Sequence, residues 1–110
     1  MNESQYKTLL EISNKGTLSQ RDLAKKIGLS LGKINYTVNA LLEKGYIKAS
    51  RFKNSKNKMA YRYILTPSGV STKITQTYQF LERKTREYEQ LKAEIDALRI
   101  EADRQKDNHK

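Results

Sequence analysis

Two capped helical segments separated by a very short turn constrain the fold of this chain most. The first segment follows Ser19 and ends at Gly28. Only Leu29 then precedes Ser30, a residue type that caps the start of a helix. The second segment runs to Gly45, and glycine is common just after the last residue of a helix. Two helices joined by so short a glycine-containing turn predict a helix-turn-helix.

The second of these helices has two chemically different faces. Its apolar residues recur at helical spacing: Leu31, Ile34, Val38, Leu41 and Leu42. The opposite side is basic and polar, with no acid before Glu43, and Ala40 also projects there. We expect this side to enter the major groove of DNA and read bases. The candidate base-reading residues are Ser30, Gly32, Lys33, Asn35, Tyr36, Thr37 and Asn39.

The net charge of +10 is placed unevenly along the 110 residues. Residues 1–66 hold 13 Lys+Arg against 4 Asp+Glu, whereas residues 67–110 hold 9 against 8. An excess confined to one part favours a surface that binds a polyanion over diffuse charge that serves only solubility. The basic part is also the part that carries the two capped helices.

A further helix and a hairpin complete this basic part. Residues 4–15 place Tyr6, Leu9 and Leu10 on one helical face, and Gly16 is the expected stop. Residues 46–52 and 61–65 alternate like strands around a polar, turn-forming stretch at 53–60. Beside a helix-turn-helix, such a hairpin predicts a wing that contacts the phosphate backbone, although a solvated charged loop is the alternative. The wing candidates are Arg51, Lys53, Asn54, Lys56, Lys58 and Arg62.

The last part of the chain predicts one long helix. Thr66 is a suitable cap, Pro67 suits the first helical position, and no glycine or proline follows Gly69. Two seven-residue series of mostly apolar positions follow: Ile74, Leu81, Tyr88, Ile95 and Ala102, and Thr77, Lys84, Leu91 and Leu98. Because Thr77 and Lys84 interrupt the seam, we expect a coiled coil from about Tyr88 onward and packing against the globular core before it.

The charges beside this seam favour a parallel homodimer. Glu87, Glu94 and Glu101 lie on one flank, and Lys92, Arg99 and Lys106 lie on the other. A parallel pair brings opposite charges together across the interface, whereas an antiparallel pair brings like charges together. A single solvated helix is the alternative, but it would leave the apolar seam in water. The predicted dimerisation residues are Leu81, Tyr88, Leu91, Ile95, Leu98 and Ala102.

These observations predict a mainly α fold with a small β-hairpin, a winged helix-turn-helix followed by a long C-terminal coiled-coil helix. Residues 1–66 would form the DNA-binding domain, and residues 67–110 would form the dimerisation helix with a polar tail. Since the mean hydropathy is -0.85 and no apolar run spans a bilayer, we expect a cytoplasmic protein with no membrane partner. No cysteine is present, which excludes disulfides and thiol chemistry.

Several motifs together resemble the winged-helix regulators of the MarR family. They are the helix-turn-helix, LEKGYI, the basic hairpin, and LTPSG before a long helix, and they cover roughly residues 4–75. The runs SLGKINYTVNALLEKG and FKNSKNKMAY resemble a small subgroup associated with exopolysaccharide biosynthesis clusters. The resemblance implies base reading by Gly32, Lys33, Tyr36 and Thr37, with the wing tip at 53–58. The chain departs from the family in its dimerisation helices, so no ligand pocket is carried over.

No set of residues in the sequence predicts an enzyme. His109 is the only histidine and lies in a polar tail, the acids are dispersed, and neither metal-ligand spacing nor a phosphate-binding loop occurs. We therefore expect no cofactor and no metal.

Three functions from different classes fit the sequence. The first is a homodimeric transcriptional regulator, with repression as the working expectation, on a palindromic operator with half-sites about 34 Å apart. The second is a nonspecific architectural nucleic-acid-binding protein, and the third is a coiled-coil protein-interaction adaptor. The operator, the target genes and any small-molecule effector are left open.

Overall fold

The structure, a computed structural model, describes residues 1–15, 19–53, 56 and 59–108. In chain order it contains α1 (Glu3–Lys15), α2 (Gln20–Ile27), α3 (Leu31–Glu43), β1 (Ile47–Lys53), β2 (Met59–Leu65) and α4 (Pro67–Asn108). This is the predicted winged helix-turn-helix followed by a long helix. The chain forms two compact units, Met1–Gln76 and Thr77–Lys110. The predicted stop at Gly16 and the tail residue His109 lie outside the described residues.

The first unit has one core, and the inner face of α3 is its centre. Ile34, Val38 and Leu41 are all 0% exposed, in agreement with the apolar stripe in the sequence. The other buried members of this core come from α1, α2 and β1, and are Leu9, Ile12, Leu23 and Ile47. Burying a side chain of this size stabilises the fold by about 1.5–3 kcal/mol. The position of α3 is therefore fixed by its inner face, and its outer face carries none of this core.

The ends of the short helices follow the signals in the sequence. The side chain of Ser19 accepts a hydrogen bond of 3.2 Å from the backbone nitrogen of Asp22. At the other end of α2, Gly28 adopts a φ of 79° and donates its N–H to the carbonyl of Ala24 over 2.9 Å. This left-handed conformation suits glycine, and it ends α2 two residues before the cap of α3.

β1 and β2 form a two-stranded antiparallel hairpin. Its register pairs Ile47 with Leu65 at the base and Lys53 with Met59 at the tip. The strands thus include residues at both ends of the stretch 53–60, which the sequence predicted as loop. Composition at those positions favours a turn, but pairing with the opposite strand supplies the ladder that keeps them extended.

The first turn of α4 is fastened to the connection between α3 and β1. The hydroxyl of Thr66 accepts from the backbone nitrogen of Gly69 over 3.0 Å and donates to the carbonyl of Gly45. The backbone nitrogen of Thr66 donates to the carbonyl of Tyr46 over 3.0 Å. A Cβ at Gly69 would lie 1.9 Å from the same Tyr46 carbonyl oxygen. Glycine is thus required where α4 crosses this connection, and α4 begins at Pro67 as predicted.

The second unit consists of the remainder of α4. Surface ion pairs run along it, such as Arg86 with Glu82 at 3.2 Å and Lys84 with Glu87 at 3.4 Å. Pairs of this exposed kind contribute little to stability, about 0.3–0.5 kcal/mol each. Within the described ranges, no helix is both long enough and apolar enough to cross a membrane.

Candidate nucleic-acid interface

The start and the end of α3 are both defined by side-chain or backbone caps. The hydroxyl of Ser30 accepts from the backbone nitrogen of Lys33 over 3.2 Å, so this predicted base-reading residue also serves as the helix cap. At the C-terminal end, Gly45 has a φ of 73° and donates its N–H to Leu42 over 3.0 Å. These caps satisfy backbone groups that a helix leaves unpaired, and they make α3 a rigid support for its outer side chains.

The outer face of α3 is exposed, as the sequence predicted. Tyr36 is 73% exposed, the largest exposed fraction among the large hydrophobic side chains of the described residues. Gly32, Lys33, Asn35 and Asn39 are exposed on the same helix. A Cβ built on Gly32 would meet no atom within 4 Å, so the fold itself does not require glycine there.

The prediction that Thr37 projects from this outer face is wrong. Thr37 is 3% exposed, and its hydroxyl donates to the carbonyl of Lys33 over 2.8 Å. Four residues turn a helix by about 400°, so Thr37 lies only about 40° from Leu41 and belongs beside the apolar stripe. The opposite correction applies to Leu31, which was placed in that stripe but is 46% exposed. Thr37 lies at the border between the two faces, where spacing alone assigns it poorly. Leu31 lies within about 20° of Val38 by the same geometry, but it is the first residue of α3.

A chain of side-chain hydrogen bonds links the outer face of α3 to the hairpin. Asn39 Nδ2 donates to Asn35 Oδ1 over 3.3 Å, and Asn35 Nδ2 donates to Gln20 Oε1 over 3.2 Å. Gln20 Nε2 then donates to the hydroxyl of Tyr63 over 3.2 Å. Sequence reasoning missed Gln20 and Tyr63 because these partners are 43 residues apart and no local pattern marks such a pair. Four side chains from α2, α3 and β2 are thereby joined.

Each of the two hairpin arginines lies over an aromatic ring. Arg51 is 5.4 Å from the centroid of Tyr61, its direct partner across the hairpin. Arg62 is 5.5 Å from the centroid of Phe52, a diagonal neighbour. Because neighbouring strand positions alternate between faces, the two stacks lie on opposite faces of the hairpin. Such stacking holds each guanidinium in place while leaving its donors available to an anion.

The lysines of the predicted wing are only partly described. Lys53 ends β1 and is exposed, and Lys56 is an exposed turn residue. Asn54 and Lys58 lie outside the described residues. From residue 48 to residue 62 the sequence contains six basic residues and no acid, so the hairpin is positively charged throughout.

The predicted dimerisation residues line one side of the second unit. Their exposed fractions are Leu81 61%, Tyr88 64%, Leu91 54%, Ile95 40% and Leu98 68%, and Ala102 is exposed as well. In the first unit, Val70 (47%) and Ile74 (53%) continue the same heptad series and are also exposed. The expectation that the early part of α4 packs on the core does not hold for this side of the helix.

The described residues show no cluster for metal binding. Within those ranges, no group of three or more His, Cys, Asp or Glu side chains is placed to hold a metal ion. The chemistry that these side chains offer is hydrogen bonding, stacking and positive charge.

The N-terminal helices of the chain match a family of DNA-binding domains. Residues 1–48 match the family model described as winged helix-turn-helix DNA-binding. The match includes α1, α2 and α3 and ends at the start of β1, so it covers less than half of the chain. A search of curated protein sequences found no significant match.

Several solved structures, MarR from E. coli among them, are similar in fold to this chain. Streptococcus pneumoniae FabT in complex with DNA has a TM-score of 0.59 at 18% identity, covering 79% of this chain and 59% of FabT. Apo wild-type MarR from E. coli has a TM-score of 0.58 at 23% identity, covering 68% and 54%. A MepR mutant from a multidrug-resistant S. aureus clinical isolate has a TM-score of 0.62 at 21% identity, covering 89% and 76%.

At these identities the likeness shows the fold. The chain spans less than two thirds of the length of the FabT and MarR structures. None of the three is named for exopolysaccharide biosynthesis, so the narrower subgroup placement stays a prediction.

Proposed function

We propose that this chain is a sequence-specific DNA-binding transcriptional regulator that acts as a homodimer. The observation that carries the proposal is the exposed outer face of α3, which has no acid before Glu43 at its C-terminal end, within a winged helix-turn-helix unit and beside a hairpin that holds only basic charges. A helix with such a face fits the width of the major groove, where each base pair presents a distinct pattern of donors and acceptors. FabT, a structure of similar fold, is in complex with DNA.

Affinity and selectivity come from different elements in this proposal. The hairpin contacts phosphates through its basic side chains, the candidates being Arg51, Lys53, Lys56, Lys58 and Arg62, with Asn54 as a polar contact. The outer face of α3 discriminates between bases through Lys33, Tyr36 and the asparagines, and Gly32 lets the backbone approach the groove. Thr37 is not included among the readers because its side chain is buried.

The homodimer forms through parallel α4 helices. An isolated α4 leaves a row of large apolar side chains in water, and burial against an identical row removes this unfavourable exposure. A parallel pair places two DNA-binding parts, residues 1–66 of each chain, at the same end of a dimerisation helix formed by residues 67–110. The operator is then palindromic, with half-sites about 34 Å apart.

Repression is the expected direction of regulation, and exopolysaccharide genes are the expected targets. One structural neighbour is named the Multiple Antibiotic Resistance Repressor, MarR. The gene set rests only on the resemblance of SLGKINYTVNALLEKG and FKNSKNKMAY to the exopolysaccharide-associated subgroup. No effector is proposed.

Three lysine variants, each of which removes one positive charge, test whether α3 supplies selectivity and the hairpin supplies affinity. Lys33→Ala should lower the preference for the best duplex selected from a randomised pool, because Lys33 lies on the outer face of α3. Lys56→Ala should weaken all duplexes alike and lower the salt dependence of binding by about one released ion per protomer. Lys7→Ala is the matched control: Lys7 lies on α1, 3.6 Å from Glu3, outside the proposed interface.

The same measurement separates the rival functions. Equal affinity of the wild type for the selected duplex and for random DNA would indicate the architectural protein. No binding to either duplex, together with an intact dimer, would indicate the adaptor. If Lys33→Ala, like Lys56→Ala, lowers the affinity for the selected duplex and for random DNA by the same factor, the assignment of selectivity to α3 is wrong.

A further inference from the structure

We propose that Gln20 is a positioning residue for base reading, and that it acts through Asn35 on Asn39. The inference rests on the proposed function, since it concerns how the outer face of α3 would recognise DNA. It starts from the hydrogen-bonded chain Asn39, Asn35, Gln20 and Tyr63, whose three bonds are 3.3, 3.2 and 3.2 Å long.

The chemistry of the amide group gives the members of this chain different roles. An asparagine side chain offers one oxygen and two N–H donors. Asn35 uses its oxygen toward Asn39 and one N–H toward Gln20, so both of its amide ends are engaged within the protein. Asn39 uses only one N–H in this chain and retains Oδ1 and its second N–H. These two groups are the pair with which asparagine holds N6 and N7 of adenine in the major groove.

Gln20 restrains the rotation of the asparagine amides through these hydrogen bonds. A free amide can rotate by about 180° and exchange donor for acceptor, which makes it a poor reader of bases. Here Gln20 accepts from Asn35 and donates to the hydroxyl of Tyr63, so the amides of Gln20, Asn35 and Asn39 are restrained together and one of them cannot turn over alone without breaking a hydrogen bond. Gln20 and Tyr63 are half-buried, whereas Asn35 and Asn39 are exposed. Gln20 and Tyr63, which support the hydrogen-bonded side chains, are thus partly enclosed by the protein, whereas Asn39, the proposed base reader, is open to solvent.

The test compares base preference, affinity and stability in the full-length protein. Wild type and variants are used to select duplexes from a randomised pool, and affinities for the best duplex and its single-base variants are then measured. Asn39→Ala should lose a preference for adenine of roughly tenfold at one position of each half-site. Gln20→Ala should lose much of the same preference at the same position, while its affinity for random duplex and its melting temperature remain those of the wild type.

A double variant distinguishes positioning from direct contact. If Gln20 acts through Asn39, then Gln20→Ala combined with Asn39→Ala should be no less selective than Asn39→Ala alone. Additive losses would show that Gln20 contacts DNA itself and would overturn the proposal. Tyr63→Phe removes only the hydroxyl and should shift the side-chain amide NMR signals of Gln20 and Asn35 in the DNA-free protein. Unchanged signals would also overturn it.

A control variant and two readouts distinguish failure of the positioning role of Gln20 from failure of the proposed function. Gln90→Ala, an exposed glutamine on α4, should change neither preference nor amide signals. A wild type that selects no sequence would refute the proposed function, and the NMR result would still decide whether the chain of amides exists. A selective wild type whose preference is unaffected by Gln20→Ala would refute the positioning role alone.

Discussion

At the residue scale, two helical glycines differ in whether the fold requires them. Gly69 lies in the first turn of α4, where an added Cβ would be 1.9 Å from the carbonyl oxygen of Tyr46. Gly32 lies in the first turn of α3, where an added Cβ would meet nothing within 4 Å. The first glycine is needed by the fold. The second has no such structural reason, in keeping with the proposed approach of DNA to the α3 backbone.

Alanine substitutions at these two glycines should therefore change stability in opposite directions. Gly69→Ala should destabilise by about 1–3 kcal/mol, because the backbone of α4 or of Tyr46 must move. Gly32→Ala should stabilise by roughly 0.5 kcal/mol, because alanine loses less backbone entropy in a helix. Urea unfolding at one fixed protein concentration measures both effects. Equal effects of the two variants would contradict this account of Gly69.

At the element scale, local signals in the sequence predicted the helices well. Ser19, Ser30 and Thr66 cap helices as expected, because a cap depends only on residues within one turn. Thr37 was misplaced because its burial depends on what packs beside α3. Gln20 was missed because its partners come from other elements. Both features belong to tertiary structure, which a single helical pattern does not encode.

The long helix α4 offers a matched pair of double variants for the proposed dimer. Leu91→Lys with Leu98→Lys places charges in the apolar seam and should yield monomers by light scattering. Their DNA affinity should fall by at least ~100-fold, because two linked half-site contacts become one. Ala93→Lys with Ile100→Lys adds the same charges at the same spacing on the outer side of the heptad and should leave the dimer intact. A dimer that persists in the first variant would contradict the assigned seam.

The relative orientation of the two α4 helices in the proposed dimer can be checked with a single cysteine in the otherwise wild-type protein. The chain contains no cysteine, so Ala102→Cys introduces a single thiol. A parallel pair brings the two residues at this seam position within disulfide distance, and mild oxidation should link the dimer. An antiparallel pair would keep the two thiols apart, and no linked dimer would form.

At the scale of the whole molecule, charge and apolar surface are segregated along the chain. Residues 1–66 carry an excess of basic over acidic residues of +9, and residues 67–110 carry +1. The large exposed apolar side chains are instead concentrated on α4. This separation fits a protein that binds a polyanion with one part and a second copy of itself with the other.

Sequence-specific reading by α3 is tested by the ratio of two dissociation constants at physiological salt. One is measured for the best palindromic duplex selected from a randomised pool, and the other for a scrambled duplex of the same length and composition. We expect the palindrome to bind at least ~1000-fold more tightly than the scrambled duplex, with two chains bound per duplex. A ratio near one would contradict sequence-specific reading by the outer face of α3.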